Sequence, residues 1–226
     1  MTHYKKQHFV PQMLQEFFSL DGNTIGCYIL NSGKTCNSPI SHTAQKDWFY
    51  RTSDTDKTSI EHVHSNIEGA VTPVLQRINN KEFHLNSEEI DDLFLFVVTQ
   101  LMRTQKAAQA MGAVLNFCIK TGISDVCKEV VSGFRNKSNL PMQASIAIPH
   151  VATYLSGKAF LLISNDTDIK FLLSDNPCCL FSPATTIAED RHIENKISIQ
   201  KPFSGYMLYM PLGPSVGMLC FDDDYH

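Results

Sequence analysis

Residues 86–122 read NSEEIDDLFLFVVTQLMRTQKAAQAMGAVLNFCIKTG. Asn86 is placed to cap a helix with Glu89 reaching back to it, and Asp91 and Asp92 fill the positive end. Apolar residues then recur at Ile90, Leu93, Phe94, Val97, Leu101, Ala108, Met111, Leu115 and Ile119, the three-and-four spacing of a buried helical face. Gly122, just past Lys120, is a natural C-terminal stop. The pattern predicts one continuous helix from Ser87 to Lys120, about 45–50 Å long at the α-helical rise. Leu95, Phe96 and Met102 make further faces apolar, so this is expected to be the central and most buried helix. Its middle carries Thr99, Gln100, Arg103 and Thr104, and these polar groups are the first functional lead.

Upstream, Pro11 suits a first helical turn, and Met13, Leu14, Phe17 and Phe18 mark one apolar face of a short helix. Thr24–Leu30 reads as a strand that turns at Asn31-Ser32-Gly33-Lys34. Gly33-Lys34-Thr35 matches the end of a phosphate-binding loop, but the upstream glycine is absent, so a hairpin turn is the expectation. Residues 36–57 read as a loop whose Trp48, Phe49 and Tyr50 form an aromatic plug. Thr58 with Glu61 offers a second capping box, and Ile60, Val63, Ile67, Ala70, Val74 and Ile78 line a helical stripe. Pro73 is expected to kink that helix near Gly69.

Downstream, Ser124–Phe134 and Gln143–Leu155 are expected helices. Beyond Ser156 the character turns β-like. Lys158–Ile163 and Ile169–Leu173 are predicted to pair as a hairpin around Asn165-Asp166, with further strands at Lys196–Gln200, Gly205–Met210 and Val216–Phe221. With no internal repeat or low-complexity linker, residues 1–226 are expected to form a single α+β domain. An N-terminal helical layer surrounds the central helix, and an antiparallel sheet follows at the C-terminal end.

The totals narrow the class. A formal charge of −4 supplies no global basic footprint, so nucleic-acid binding would need a local patch. Seven cysteines, an odd number at irregular spacing, do not make a disulfide framework, and adjacent Cys178 and Cys179 lack the gap of a zinc knuckle. The N-terminus lacks the apolar run of a signal peptide, and no stretch approaches a membrane span. A soluble, cytoplasmic protein with reduced thiols is expected.

Several residue pairs are placed to carry chemistry. Glu61 and Glu68 are seven apart, two turns on one helix side and about 10 Å from each other. They serve either as a general base or metal ligand facing a cleft, or as a cap and a salt-bridged residue. Gln100 and Arg103 are one turn apart in an apolar helix middle. An unpaired buried charge costs several kcal/mol, so Arg103 needs a partner: Glu61, Glu68, Asp175 or an anionic ligand. His8 stands before a helix start, while His62 and His64 point in divergent directions and make a poor chelate. Ser174-Asp175-Asn176-Pro177 follows an apolar run and forms either a site at a strand's end or an ordinary turn.

Taken together, His8-Phe9-Val10-Pro11-Gln12, Lys46-Asp47-Trp48-Phe49-Tyr50, Ile60-Glu61 with Glu68, Gln100-Leu101-Met102-Arg103-Thr104, Phe171–Pro177 and Met210-Pro211-Leu212-Gly213-Pro214 occur in the order of a family the chain resembles. It is an uncharacterised bacterial domain of unknown function that opens on His-x-Val-Pro-Gln. Departures are Met13-Leu14 for a tyrosine-leucine pair, Gln105 for a proline, and Phe160 in place of a tryptophan. Family members usually continue past the Pro-Leu-x-Pro stretch, so this chain is expected to be short at its C-terminus. The resemblance implies an α+β fold and makes His8, Gln12, Glu61, Glu68, Gln100, Arg103 and Asp175 motif positions, but it carries no activity.

Three readings follow. The first is a hydrolase acting on a phosphate-bearing substrate, a nuclease-like effector with nucleic acid or a nucleotide as partner. Glu61, Glu68, Arg103, Asp175 and His8 would be its catalytic residues, with Gln12, Gln100 and Asn176 binding substrate. The second is a non-catalytic ligand- or partner-binding module in which those residues form a structural polar network. The third is a nucleic-acid binder without catalysis, which the scattered lysines disfavour. The sequence names no cofactor; in the enzyme reading Glu68 and Asp175 bind a metal ion or serve as base, and Arg103 holds an anionic group of the substrate. The enzyme reading predicts that Glu61, Glu68, Gln100, Arg103 and Asp175 converge on one partly open pocket, with His8 and Gln12 at its edge.

Overall fold

The Asn86 capping box forms as its spacing predicts. The Asn86 side chain accepts from the Glu89 amide at 3.0 Å, and Glu89 Oε2 accepts from the Asn86 amide at 2.9 Å. The computed structural model describes residues 6–50, 60–110, 112–113, 140–155, 157–181 and 205–222. Helix α3 (Ser87–Met102) starts at this cap, and α2 (Ile60–Asn79) precedes it. Arg77 near the end of α2 pairs with Glu89 near the start of α3, while Glu68 meets Arg103 at the far end. The two helices therefore run antiparallel. Between them Val71, Leu75, Ile78, Leu93, Phe96 and Val97 are buried, and Leu101 is half-buried. Pro73 lies inside α2, which is helical from Ile60 to Asn79.

The central helix is not continuous. Arg103 N still donates to Thr99 O at 2.9 Å, closing the last turn of α3. Thr104 then caps a new helix: its hydroxyl accepts from the Ala107 amide at 3.2 Å, and its carbonyl accepts from the Ala108 amide at 3.1 Å. Helical backbone resumes over residues 105–110. A threonine hydroxyl offers an amide donor an alternative to the helical ladder, and here that alternative wins. The apolar spacing runs across this junction, with Phe96, Val97 and Ala108 all buried. The expected continuation to Lys120 lies outside the described residues, as do Thr58, the Ser124–Phe134 helix and the Lys196–Gln200 strand.

Upstream of α2 the chain makes two ribbons. β1 (Lys6–His8) pairs antiparallel with β4 (Gln45–Asp47), and β2 (Thr24–Ile29) with β3 (Lys34–Pro39) across a turn where Gly33 adopts φ +64°. Residues 36–50 are therefore not simply a loop, and the rest of the expected 36–57 loop lies outside the described residues. β3 runs to Pro39, a 3-10 turn covers Ile40–His42, and β4 follows. Trp48, at φ 56°, turns the chain so that Phe49 and Tyr50 enter the core while Trp48 stays partly exposed. Between the strands, α1 (Gln12–Glu16) begins after Pro11 and buries Leu14.

Gln143–Leu155 divides into α4 (Leu140–Ile146) and α5 (Ile148–Leu155), with Pro149 in the first turn of α5, where its missing N–H costs nothing. Among the described residues the C-terminal sheet is four-stranded and antiparallel, in the order β5-β8-β7-β6. Its strands are β5 (Lys158–Ser164), β6 (Cys179–Phe181), β7 (Met207–Gly213) and β8 (Val216–Asp222). Leu208, Met210, Leu212, Val216, Met218 and Cys220 point into the core shared with α2 and α3. Leu161 and Tyr209 lie on the other face.

The predicted hairpin of 158–163 with 169–173 is not formed. β5 pairs along its whole length with β8, Lys158 opposite Asp222 and Ser164 opposite Val216. Residues 169–173 form no strand; Phe171 N donates to Pro214 O at 2.8 Å, and its ring meets Tyr209 edge-on. Asn165 uses its side chain to turn the local backbone, accepting from Thr167 N and donating to Ile169 O, so the chain bends away from β5. The α+β class holds with other strands supplying the sheet.

Candidate functional site

The Arg103–Thr104 break gathers three of the sequence motifs. At the end of α3, Arg103 is 4% exposed, and its guanidinium is held on three sides. Nη1 donates to Glu68 Oε1 at 2.5 Å, Nη2 to the His8 carbonyl at 2.6 Å, and Nε lies 3.4 Å from Tyr50 Oη. Tyr50 Oη in turn donates to the Arg103 carbonyl at 2.8 Å, satisfying an acceptor left over at the helix end. Burial works against the Arg103 charge, but Tyr50 and Glu68 outweigh it and hold the guanidinium protonated above its ordinary range.

The opening motif is built around that arginine. Phe9 and Val10 enter the core, Pro11 starts α1, and the carbonyl between ring and core is the one Arg103 takes. The His8 side chain is half-buried, with Gln12 Nε2 lying 3.2 Å from its Nε2. Burial, assisted by Arg103, lowers the His8 pKa, against hydrogen bonding of the ring N–H to the Ile40 and Ser41 backbone, which raises it. Its imidazole is therefore neutral at pH 7. Gln7 anchors the other side by accepting from Tyr50 N at 2.7 Å.

Asn176 completes the junction. Thr104 Oγ1 donates to Asn176 Oδ1 at 2.7 Å, and Asn176 Nδ2 donates to the Cys178 carbonyl at 3.1 Å. Ser174 holds the turn by donating to Asn176 O. The Ser-Asp-Asn-Pro turn thus docks on the residue that breaks the central helix.

Of the predicted site residues, Glu68, Arg103, His8 and Gln12 form one connected set. Asn176 joins it through Thr104. Glu61 is half-buried on α2, near enough to Tyr50 to act on it electrostatically. Asp175 is exposed in the turn. Gln100 is fully buried one turn before Arg103, and neither of its amide atoms has a hydrogen-bond partner among the described residues. His64 is also buried, with neither ring nitrogen partnered among the described residues and its ring edge-on to Tyr50 at 5.0 Å. Burial, then Arg103, pushes its pKa down to about 2. A groove of about 440 Å³ lies on the β2–β3 ribbon, away from this cluster. Among the described residues, no group of three or more His, Cys, Asp or Glu is arranged to hold a metal ion.

Tyr50 and Gln7 are the members that sequence reasoning did not select, and Thr104 is a lead among the central helix's polar groups but is not read as a cap. Tyr50 reads as part of an aromatic plug and Thr104 as a mid-helix residue. The available signal was the Arg-Thr pair itself, since threonine is a good helix cap.

The family model for this sequence pattern matches residues 6–226. The chain belongs to the family described as "Protein of unknown function (DUF4238)". No curated protein and no solved structure matches it. Family membership agrees with the motif order and carries no activity to this chain. No helix among the described residues is long and apolar enough to cross a membrane.

Proposed function

We propose that the Arg103 cluster is the structural junction of a non-catalytic ligand- or partner-binding module. The observation that carries this reading is that all three guanidinium nitrogens of Arg103 face groups of the protein itself: Glu68, the His8 carbonyl and Tyr50. An arginine so engaged and so buried is not presented to a phosphate. Its work is to tie the opening segment, α2 and the end of α3 into one unit. The surface that such a unit presents is apolar in places: Leu161 on the outer face of the sheet and Ile169 and Leu172 beside it are 54%, 83% and 86% exposed. Exposed apolar groups that cluster near one another mark interaction surfaces more often than scattered ones do.

A second reading keeps the hydrolase of a phosphate-bearing substrate, and one observation favours it. His8 is neutral at pH 7, half-exposed, and adjacent to exposed Gln12, while the Glu68 side chain is 26% exposed. In that reading His8 takes the proton of an attacking water, Gln12 and Asn176 position substrate, and Glu61, Glu68 and Asp175 supply carboxylates. Arg103 acts from behind by fixing Glu68 and the His8 backbone.

Glu68→Gln, Arg103→Lys and His8→Ala separate the two. Each is assayed for folding and for hydrolysis of nucleic acids and nucleotides with magnesium or manganese. The module reading expects no activity in the parent, and loss of stability in the first two variants. Parent activity lost in a folded His8→Ala protein would overturn it in favour of the hydrolase.

A further inference from the structure

The β2–β3 ribbon carries two cysteines that the Arg103 cluster does not use. Cys27 on β2 and Cys36 on β3 are direct register partners, with Tyr28 opposite Thr35 and Gly26 opposite Asn37 on either side. Directly opposed residues of an antiparallel pair have Cα atoms about 4.5 or 5.5 Å apart. Both values fall within the ~4.4–6.8 Å that a disulfide spans. Both cysteines are free thiols in the structure. Cys36 is exposed and Cys27 half-buried, and both line the 440 Å³ groove with Gly26, Tyr28, Thr35 and Asn37. Cys27 Sγ now points to the Ile25 carbonyl of its own strand at 3.7 Å, a weak contact that a χ1 rotation gives up.

We propose that Cys27 and Cys36 are a reversible redox pair that closes into a cross-strand disulfide when a hydroperoxide reaches the ribbon. The Cys36 thiolate attacks one peroxide oxygen, the O–O bond breaks, and the alkoxide leaves and takes up a proton. Cys27 then attacks the sulfur of the Cys36 sulfenic acid, the S–O bond breaks, and water leaves. The two thiols lose two protons and two electrons, and the hydroperoxide is reduced to an alcohol and water. The division of roles follows from position: the exposed thiol meets the oxidant, and the sheltered one resolves it. Burial, with Cys36 beside it, raises the Cys27 pKa, which makes Cys27 the poorer first nucleophile.

The ribbon is joined to the cluster at its base. Ile40 N donates to Asn23 O at 2.9 Å, and the Ile40–Ser41 backbone is hydrogen-bonded to the His8 side chain. A disulfide across the strands fixes the register of the arm that carries this turn.

The test treats the full chain with hydrogen peroxide, alkylates remaining thiols, and maps peptides by mass spectrometry before and after dithiothreitol. The expected product is an intramolecular peptide pair joining Cys27 to Cys36, lighter by two hydrogens and restored by dithiothreitol. Amide exchange in residues 24–39 should slow in the oxidised protein. Cys27→Ser should lose the crosslink and send Cys36 on to sulfinic acid at the same dose, because no resolving thiol remains. Three outcomes overturn the proposal. The first is sulfinic acid at Cys36 in the parent without the crosslink, and the second is dimers joined through Cys36. The third is the same spread of disulfides from native and urea-unfolded chains, which would mean the fold contributes nothing.

Discussion

Acidification should weaken this protein through His64, and the size of the effect follows from its surroundings. The ring is 2% exposed, packed on Tyr50, and its nitrogens have no hydrogen-bond partner among the described residues. Its folded pKa is lowered to about 2, from an ordinary value of 6.5. The unfolded chain thus takes up a proton below pH 6.5 that the folded chain refuses. Stability from this group is complete above pH 6.5 and is lost as pH falls, down to the folded value. The slope is about 1.4 kcal/mol per pH unit, so about 2 kcal/mol is gone at pH 5. Any folded value well below 5 produces nearly the same loss at that pH, so the figure does not depend on the depth of the shift. Urea unfolding of the parent and of His64→Phe, at about pH 7 and about pH 5, measures it. Carboxylates and His8 contribute to both proteins and cancel in the comparison. The parent should lose about 2 kcal/mol more than the variant over this interval. Equal losses would refute the reasoning, because they would mean that His64 finds a proton acceptor or water in the folded state.

The ion pair makes a second test. Glu68→Gln leaves a buried guanidinium without its counter-charge and should cost about 3 kcal/mol, most of which returns when Arg103→Met is added; a cycle by chemical denaturation checks this. Asn86→Ala removes half of the α3 capping box and should lower stability by about 1 kcal/mol without changing the denaturant slope. At Gly213, a Cβ would collide with the side-chain oxygen of Asn79, whose amide donates to Leu212 O and Leu75 O. Gly213→Ala should therefore cost about 1–3 kcal/mol by displacing those bonds, and a thermal melt would reveal it.

Features that depend on near neighbours were legible in the sequence. The Asn86–Glu89 box, the ribbon turn at Gly33, and the strands around Met210 and Met218 each follow from residues a few positions apart. What failed was of two kinds. At Arg103–Thr104 the apolar repeat continues through the break, so periodicity cannot report it; a single hydroxyl decides, and it is drawn off by Asn176, 72 residues away. At β5 the nearest apolar run, 169–173, looked like a partner, but the partner is β8. Strand patterns state which face is buried and are silent about which edge is met. The site divides in the same way. Arg103 announced its need for a carboxylate, and Glu68 was among the candidates, whereas Tyr50 and the His8 carbonyl act through atoms whose role no sequence pattern marks.

The position of β8 has a consequence for synthesis. It is the last strand among the described residues, yet it sits inside the sheet between β5 and β7. β5 is complete at Ser164, and the strand that covers its edge does not begin until Val216. At roughly 5–20 residues per second, a ribosome leaves the Ala-Phe-Leu-Leu-Ile edge of β5 without that neighbour for about 3–10 seconds. A chain stalled or cleaved in that interval presents an apolar strand to other nascent chains, and β5 joins the β6–β7 pair only when β8 enters between them.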